Sequence, residues 1–252
     1  MKRLYSLLGA VYMITTSFYL SPQKGTANKE ITATKKIERS IDTKSEKAAN
    51  AGLSSEEIYQ SIIFEPNHEL NYEVFSKALI GFENLKKAGL LNQDSHLLTV
   101  CDFSMSSNTK RLWVLDLNDK KVIFNSLVAH GKNTGEEFAT NFSNTESSLQ
   151  SSLGFYITDA TYNGDNGYSL RLLGMDKGFN DAAYRRAIVM HGADYVSEDF
   201  ATMHKRIGRS WGCPAVPRDL TQPIINTIKG RNCLFIYYPD QNYLSSSEWL
   251  KA

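Results

Sequence analysis

From Leu97 onward the apolar residues fall in short runs separated by turn-forming residues, and this spacing limits the fold more than any other feature of the chain. Leu97-Leu98-Thr99-Val100-Cys101 comes first. Arg111-Leu112-Trp113-Val114-Leu115 and Val122-Ile123-Phe124 then flank Asn118-Asp119-Lys120, a hairpin turn. Further strand candidates are Phe155 to Thr158, Tyr168 to Leu173, Ala187 to His191 and Leu234 to Tyr238. One helix, from about Asp219 to Lys229, ends at Gly230. Many short strands with few helices predict a mainly β domain with flanking helices, an α+β protein built on a β-sandwich or barrel over residues 97–240. Residues 241–252 read as a C-terminal tail.

Before Leu97 the periodicity is helical. Leu53-Ser54-Ser55-Glu56-Glu57-Ile58 fits a capping box between Ser54 and Glu57, with Leu53 and Ile58 as a hydrophobic staple. A second helix is expected from about Asn71 to Ala88, where Tyr72, Phe75, Leu79, Phe82 and Leu85 recur at helical spacing and face the core. Residues 53–96 therefore read as a helical segment ahead of the β domain. Residues 28–52 are rich in Lys, Glu, Thr, Ser and Ala and read as a flexible tether.

Residues 1–27 have the pattern of a secretory signal: Lys2 and Arg3, then an uncharged, mostly apolar stretch from Leu4 to Leu20, then the small residues Gly25-Thr26-Ala27. An uncleaved membrane anchor is the alternative, and membrane contact is expected only through this segment. No cysteine lies near the cleavage site, which argues against a lipoprotein. The chain is thus expected to be exported, to the periplasm or cell envelope. Residues 1–27 hold three of the 28 basic and none of the 27 acidic residues, so the remainder carries 25 minus 27, or −2. The net charge of +1 for the whole chain gives no electrostatic case for nucleic acid as a partner.

An exported chain with three cysteines is not a disulfide scaffold, since one thiol is left over. Cys101 and Cys233 lie in strand-like apolar runs and read as core. Cys213 lies in Ser210-Trp211-Gly212-Cys213-Pro214, with His191-Gly192 upstream. A thiol among turn residues, preceded in the chain by an imidazole, is the layout of a nucleophile and its base. Gly208 and Gly212 allow a tight bend, so that the N–H groups of Trp211, Gly212 and Cys213 converge as an oxyanion hole. Zinc binding by His191, His204 and Cys213 matches no common ligand spacing, so no metal and no cofactor is expected.

At these residues the chain resembles the catalytic domain of the murein L,D-transpeptidases of the YkuD type. That family shows a His-Gly pair, a spacer, then Ser/Thr-His-Gly-Cys, matched here by His191, Gly192, Ser210, Gly212 and Cys213. Trp211 stands where most members have a second histidine, Pro214 follows the cysteine, and the spacer is longer than usual, as in a divergent branch. Ser151-Ser152-Leu153-Gly154-Phe155-Tyr156 resembles the family's Thr-Pro-x-Gly-x-Tyr segment. The resemblance spans about Leu97 to Tyr238.

The resemblance implies a transferase of cell wall biogenesis acting on peptidoglycan stem peptides. Cys213 attacks the amide before a terminal D-alanine, a thioester forms, and an amine of a second stem gives a cross-link between two diaminopimelate residues. It also implies that one ring nitrogen of His191 faces the thiol while a backbone carbonyl, that of Gly192, holds the other; Asp194 and Asp199 stay open as orienting groups. Carbapenems are expected as covalent inhibitors. Tyr156, Ser169, Arg171, Arg209 and Ser210 are the substrate-binding candidates, with Lys205 and His130 as weaker ones. If water replaces the acceptor amine, the same site is an L,D-carboxypeptidase. Trp211 keeps open an inactive wall-binding module. A papain-like peptidase is disfavoured, because its cysteine precedes its histidine.

Overall fold

In the computed structural model, which describes residues 53–251, the Ser54 hydroxyl accepts the Glu57 N–H at 3.2 Å while Glu57 Oε2 accepts the Ser54 N–H at 2.8 Å. This reciprocal cap opens α1 (Ser55–Ser61). The expected signal (1–27) and tether (28–52) lie outside the described residues. Asn71 Oδ1 accepts from the amides of Glu73 and Val74 and opens α2 (Tyr72–Lys87). Val74, Phe75, Ala78, Leu79, Phe82 and Leu85 form the buried face of α2. Tyr72, expected in the core, is exposed, and its hydroxyl lies 3.1 Å from Ser55 Oγ.

The β domain holds eight strands: β1 (Leu97–Asp102), β2 (Leu112–Asp116), β3 (Lys121–Ser126), β4 (Gly154–Gly164), β5 (Gly167–Gly174), β6 (Val189–Ala193), β7 (Ala215–Pro217) and β8 (Cys233–Tyr237). In the turn between β2 and β3, Asp116 Oδ1 accepts from the amides of Asn118 and Asp119. The strands form one sheet in the order β3-β2-β1-β8-β4-β5-β6-β7, parallel at β1–β8 and β6–β7 and antiparallel elsewhere. β1 and β8 are buried along their whole length. Both faces of these central strands are covered, so they read as continuous apolar runs, and Cys101 and Cys233 sit within them.

The sandwich or barrel expectation resolves into a single, nearly closed sheet. The chain leaving β3 crosses to the opposite edge, where Ala129 and Ala215 exchange backbone hydrogen bonds of 2.8 and 3.4 Å. α4 (Arg218–Ile228) buries Ile224, Ile225 and Ile228 and packs on β5, β6 and β7. α3 (Glu198–His204), a short helix with no buried residue, carries no apolar stripe by which a sequence pattern would find it.

The expected C-terminal tail is not a tail. Residues 241–251 include α5 (Gln241–Ser246) and a 3-10 turn at Glu248–Leu250, and they fold back onto the sheet and α2. The anchor is Asp176, which is buried. Its carboxylate accepts from the Phe155 amide at 2.6 Å, from the Ser247 hydroxyl and from the Tyr243 hydroxyl at 3.4 Å. Trp249 Nε1 donates to the Met175 carbonyl, and Asn84 Nδ2 donates to the carbonyls of Trp249 and Lys251. A short polar segment of this kind has no periodicity, and its order comes from contacts distant in the chain.

Burial pushes the Asp176 carboxyl from 3.8 up to about 6. A raised folded-state value means that this group favours folding below pH 3.8 and that the contribution is lost as pH rises through about 6. Asp176→Asn should flatten that part of the stability–pH profile, measured by urea unfolding. Asp176→Ala should cost about 2–3 kcal/mol, because the Phe155 amide and Ser247 hydroxyl lose a buried acceptor. Faster amide exchange in α5 should accompany that loss.

Candidate active site

His191 lies in β6 and is 4 % exposed. Its Nδ1 is 3.0 Å from the Gly192 carbonyl. A carbonyl only accepts, so Nδ1 carries the proton and Nε2 keeps its lone pair. Nε2 makes no hydrogen bond among the described residues. The Asp194 carboxylate is engaged by Arg218 at 2.6 and 3.1 Å, so it does not orient the ring. Gly192 is required by close approach: a Cβ there would lie 2.1 Å from Thr221 Oγ1 of α4.

The Cys213 turn is built by hydroxyl groups. Ser210 Oγ accepts the Gly212 amide at 3.0 Å and donates to the Cys213 carbonyl at 2.6 Å. The Ser210 amide donates to the His130 carbonyl, and its own carbonyl accepts from the Lys132 amide. Ser151 Oγ accepts the Gly131 amide and donates to the Gly212 carbonyl at 3.1 Å. Gly212 has φ of 122°, and a Cβ there would meet the Gln150 carbonyl oxygen at 2.6 Å. Only glycine combines this backbone with this contact.

The Cys213 sulfur accepts the Val189 amide at 3.5 Å, and its thiol points to the Ala187 carbonyl at 3.7 Å. Ala187 has a left-handed φ of 52°, an uncommon conformation for a residue with a Cβ, held here at the entry to β6. Cys213, His191, Ala187 and Val189 line one cleft of about 590 Å³. Ser210, Trp211, Tyr162, Tyr195, Arg186, Arg209 and residues 164–166 complete its walls.

Burial pushes the Cys213 thiol up, and the Val189 amide and the Arg186 cation work against that shift. Burial lowers His191, with the Gly192 bond opposing and Arg218 assisting. The two groups therefore face the cleft as a neutral thiol and a neutral imidazole near pH 7. Cys101, by contrast, is fully buried and pushed up to about 12, and Cys233 is shifted the same way, so neither is a competing nucleophile.

The other expected site residues divide. Trp211 lines the cleft and is 77 % exposed. The amides of Trp211 and Cys213 make no hydrogen bond among the described residues, whereas that of Gly212 is engaged by Ser210 Oγ and drops out of the expected oxyanion hole. Ser210 lines the cleft, with its hydroxyl committed to the turn. Arg209 lines the cleft, but its Nη1 is bound to the carbonyls of Lys132 and Gly135 and to Glu136 at 2.6 Å. Tyr156 is fully buried, with its hydroxyl on the Ser152 carbonyl, so it does not reach the cleft. Ser169 pairs with His191 across β5 and β6, yet its hydroxyl donates to the Gly167 carbonyl and it is not part of the cleft wall. Arg171 lies over the rings of Tyr162 and Tyr184 at 4.6 and 5.5 Å, outside the wall.

His130 is buried beneath the turn. Its Nδ1 accepts from Arg111 Nη2 at 2.8 Å, and burial and that cation lower it to about 4. His204 stacks on Phe200, and among the described residues no group of three His, Cys, Asp or Glu side chains is placed to hold a metal.

Arg186 was not among the expected residues. Its guanidinium donates to the Ser143 and Gln150 carbonyls at 2.6 Å and to the hydroxyls of Ser148 and Ser152, organising the 143–152 loop beside Cys213. No sequence signal distinguishes it from Arg185, because its partners lie far off in the chain.

A family model described as the L,D-transpeptidase catalytic domain matches residues 66–237. No curated protein matches the chain. Among solved structures, the chain is similar to an L,D-transpeptidase from Mycobacterium smegmatis at 12 % identity and a TM-score of 0.35, over 57 % of this chain and 59 % of that one. It is similar to LdtMt1, an L,D-transpeptidase solved with imipenem, at 11 % identity and 0.36, over 56 % and 59 %. A helical cell shape determining protein from Campylobacter jejuni matches at 15 % identity and 0.38, over 66 % and 55 %. Each of these matches thus spans less than two thirds of the solved chain.

Gly212→Ala tests the geometry of the turn. Its Cβ contact with the Gln150 carbonyl and its positive φ should displace the turn, cost about 1–3 kcal/mol and slow iodoacetamide alkylation of Cys213. An alkylation rate equal to wild type in a folded variant would refute that account.

Proposed function

The chain belongs to the L,D-transpeptidase catalytic domain family, and from that premise we propose that it is a cysteine acyltransferase that cross-links peptidoglycan stem peptides through a Cys213 thioester. The observation that carries this reading is one cleft holding the Cys213 thiol and an imidazole whose Nδ1 is fixed by the Gly192 carbonyl. A base held in one tautomer is ready to take a proton at Nε2.

The steps follow from the neutral pair. His191 Nε2 takes the thiol proton as Sγ attacks the carbonyl carbon of the amide between diaminopimelate and the terminal D-alanine. The amides of Trp211 and Cys213 donate to the oxyanion. The C–N bond breaks, His191 returns the proton to the leaving D-alanine nitrogen, and the thioester remains. The amine of a second stem then attacks, giving up a proton to His191, which passes it to the departing sulfur. Water in place of the amine would make the enzyme an L,D-carboxypeptidase. Arg186 places positive charge beside the developing thiolate. The stem peptides lie outside the cytoplasmic membrane, so this function requires export, for which residues 1–27 carry the pattern.

Incubation with purified disaccharide-tetrapeptide, read by mass spectrometry, tests the proposal: dimer supports transfer, tripeptide alone supports hydrolysis, and neither supports a wall-binding module. Cys213→Ala should abolish turnover and remain folded. A carbapenem should add once to wild type and not to that variant, since the strained lactam offers an activated amide to the same thiol. Adduct formation on Cys213→Ala would refute Cys213 as the nucleophile.

His191→Gln should slow turnover about 100-fold or more, the scale for loss of a positioned base. Burial lowers His191, so the imidazole stays unprotonated at pH values where an exposed histidine is already charged. The acid limb of kcat/KM in wild type should therefore fall below the ordinary histidine range. A limb at or above that range would contradict the assignment of His191 as base.

A further inference from the structure

Within the cleft that holds Cys213, the charged groups are not equally compensated. Arg209 is paired with Glu136, and Arg186 is surrounded by neutral oxygens. Asp165, at the tip of the β4–β5 hairpin, is the one carboxylate of the cleft wall, and among the described residues it makes no ion pair and no side-chain hydrogen bond. Trp211, on the same wall, leaves its indole 77 % exposed beside the nucleophile, with no cation over its ring among the described residues. Tyr162 differs, since Arg171 already covers its ring. A solvated carboxylate alone would be unremarked surface. An unpaired carboxylate and an unoccupied indole in one cleft have complementary chemistry, since both attract an organic ammonium ion.

We propose that Asp165 and Trp211 form the acceptor subsite, which takes the ammonium group of the second stem peptide. This rests on the transfer reaction proposed above and names the group that selects amine over water. Amines of α-amino character are largely protonated near pH 7. The docked ammonium releases one proton to solvent and becomes nucleophilic. Its nitrogen bonds to the thioester carbonyl carbon, the C–S bond breaks, and its second proton passes through His191 Nε2 to Cys213 Sγ. The subsite thus raises the local amine concentration against that of water and leaves the acylation step to Cys213 and His191.

The test measures the ratio of cross-linked dimer to tripeptide formed from purified disaccharide-tetrapeptide by the full chain. Asp165→Asn should lower the ratio about three- to tenfold, Asp165→Glu should restore most of it, and Trp211→Leu should lower it by a similar factor. Added salt should lower the wild-type ratio and leave that of Asp165→Asn nearly flat. Asp165 is exposed at a hairpin tip, so its variants should fold even if Trp211→Leu does not. An unchanged ratio in Asp165→Asn overturns the proposal. Tripeptide without dimer from wild type overturns it too while leaving Cys213 chemistry intact, whereas no product at all overturns the transfer reading itself.

Discussion

The pair of hydrogen bonds between Ala129 and Ala215 is the constraint on which the site depends. It joins the chain leaving β3 to the far edge of the sheet at β7. This contact places residues 130–152 under the segment that carries Cys213. From there Ser210 reaches the His130 carbonyl, and Ser151 reaches Gly212. Without the edge contact, the Ser210–Cys213 turn would have no floor. The fully buried Arg111 reinforces this floor from below through His130, with the carbonyls of Val128 and Met105 as its other acceptors. An arginine so placed, lowered by burial to about 9, has its charge balanced by dipoles rather than by a bonded carboxylate.

Burial acts on all three thiols in one direction, yet only one of them opens on the cleft. For Cys101 the Arg111 cation opposes it, for Cys233 burial and the Asp176 carboxylate act together, and both lie in strands sealed on two faces. For Cys213 the Val189 amide and the Arg186 cation oppose it, and the sulfur opens on the cleft. The left-handed Ala187 contributes by turning its carbonyl toward that sulfur. Burial also keeps His191 uncharged, so a thiol and a base stand together without a permanent ion pair. A proton then moves only as a carbonyl is attacked, in keeping with the proposed acyl transfer.

What was legible in the sequence was local. The Ser54–Glu57 capping box, the helix opened by Asn71 and the Asn118-Asp119-Lys120 turn each involve residues within about four positions of one another, and each formed as read, whereas the glycine-bearing Cys213 turn formed with the Gly212 amide bound to Ser210 instead of free. Cys213 and His191 were read together from the residues of the two motifs, although the spacer between them is longer than the family's, and both line the cleft. What escaped depends on distant partners. Arg186 draws its role from residues 143–152, Asp176 from Ser247 and Tyr243, and α5 from the surface it covers. Tyr156 shows the reverse error: its position beside a matched motif suggested the cleft, but both faces of this part of β4 are covered and its ring lies in the core.

Replacement of the family's second histidine by Trp211 has a structural answer. The side chain at this position lies on the cleft wall with most of its surface in solvent, and no hydrogen bond of the turn uses it. The turn is held by Ser210 and Ser151, and the positive φ belongs to Gly212. What position 211 contributes to the proposed oxyanion hole is its backbone amide, which any residue except proline supplies. The proposed base, His191, lies in another strand and is fixed by its own neighbour's carbonyl. A histidine at 211 is therefore not needed to complete the pair of thiol and imidazole, and the exchange alters what approaches the cleft while leaving the groups at its floor in place. On the proposed reading, divergence at the motif is a change in recognition rather than in the reacting groups.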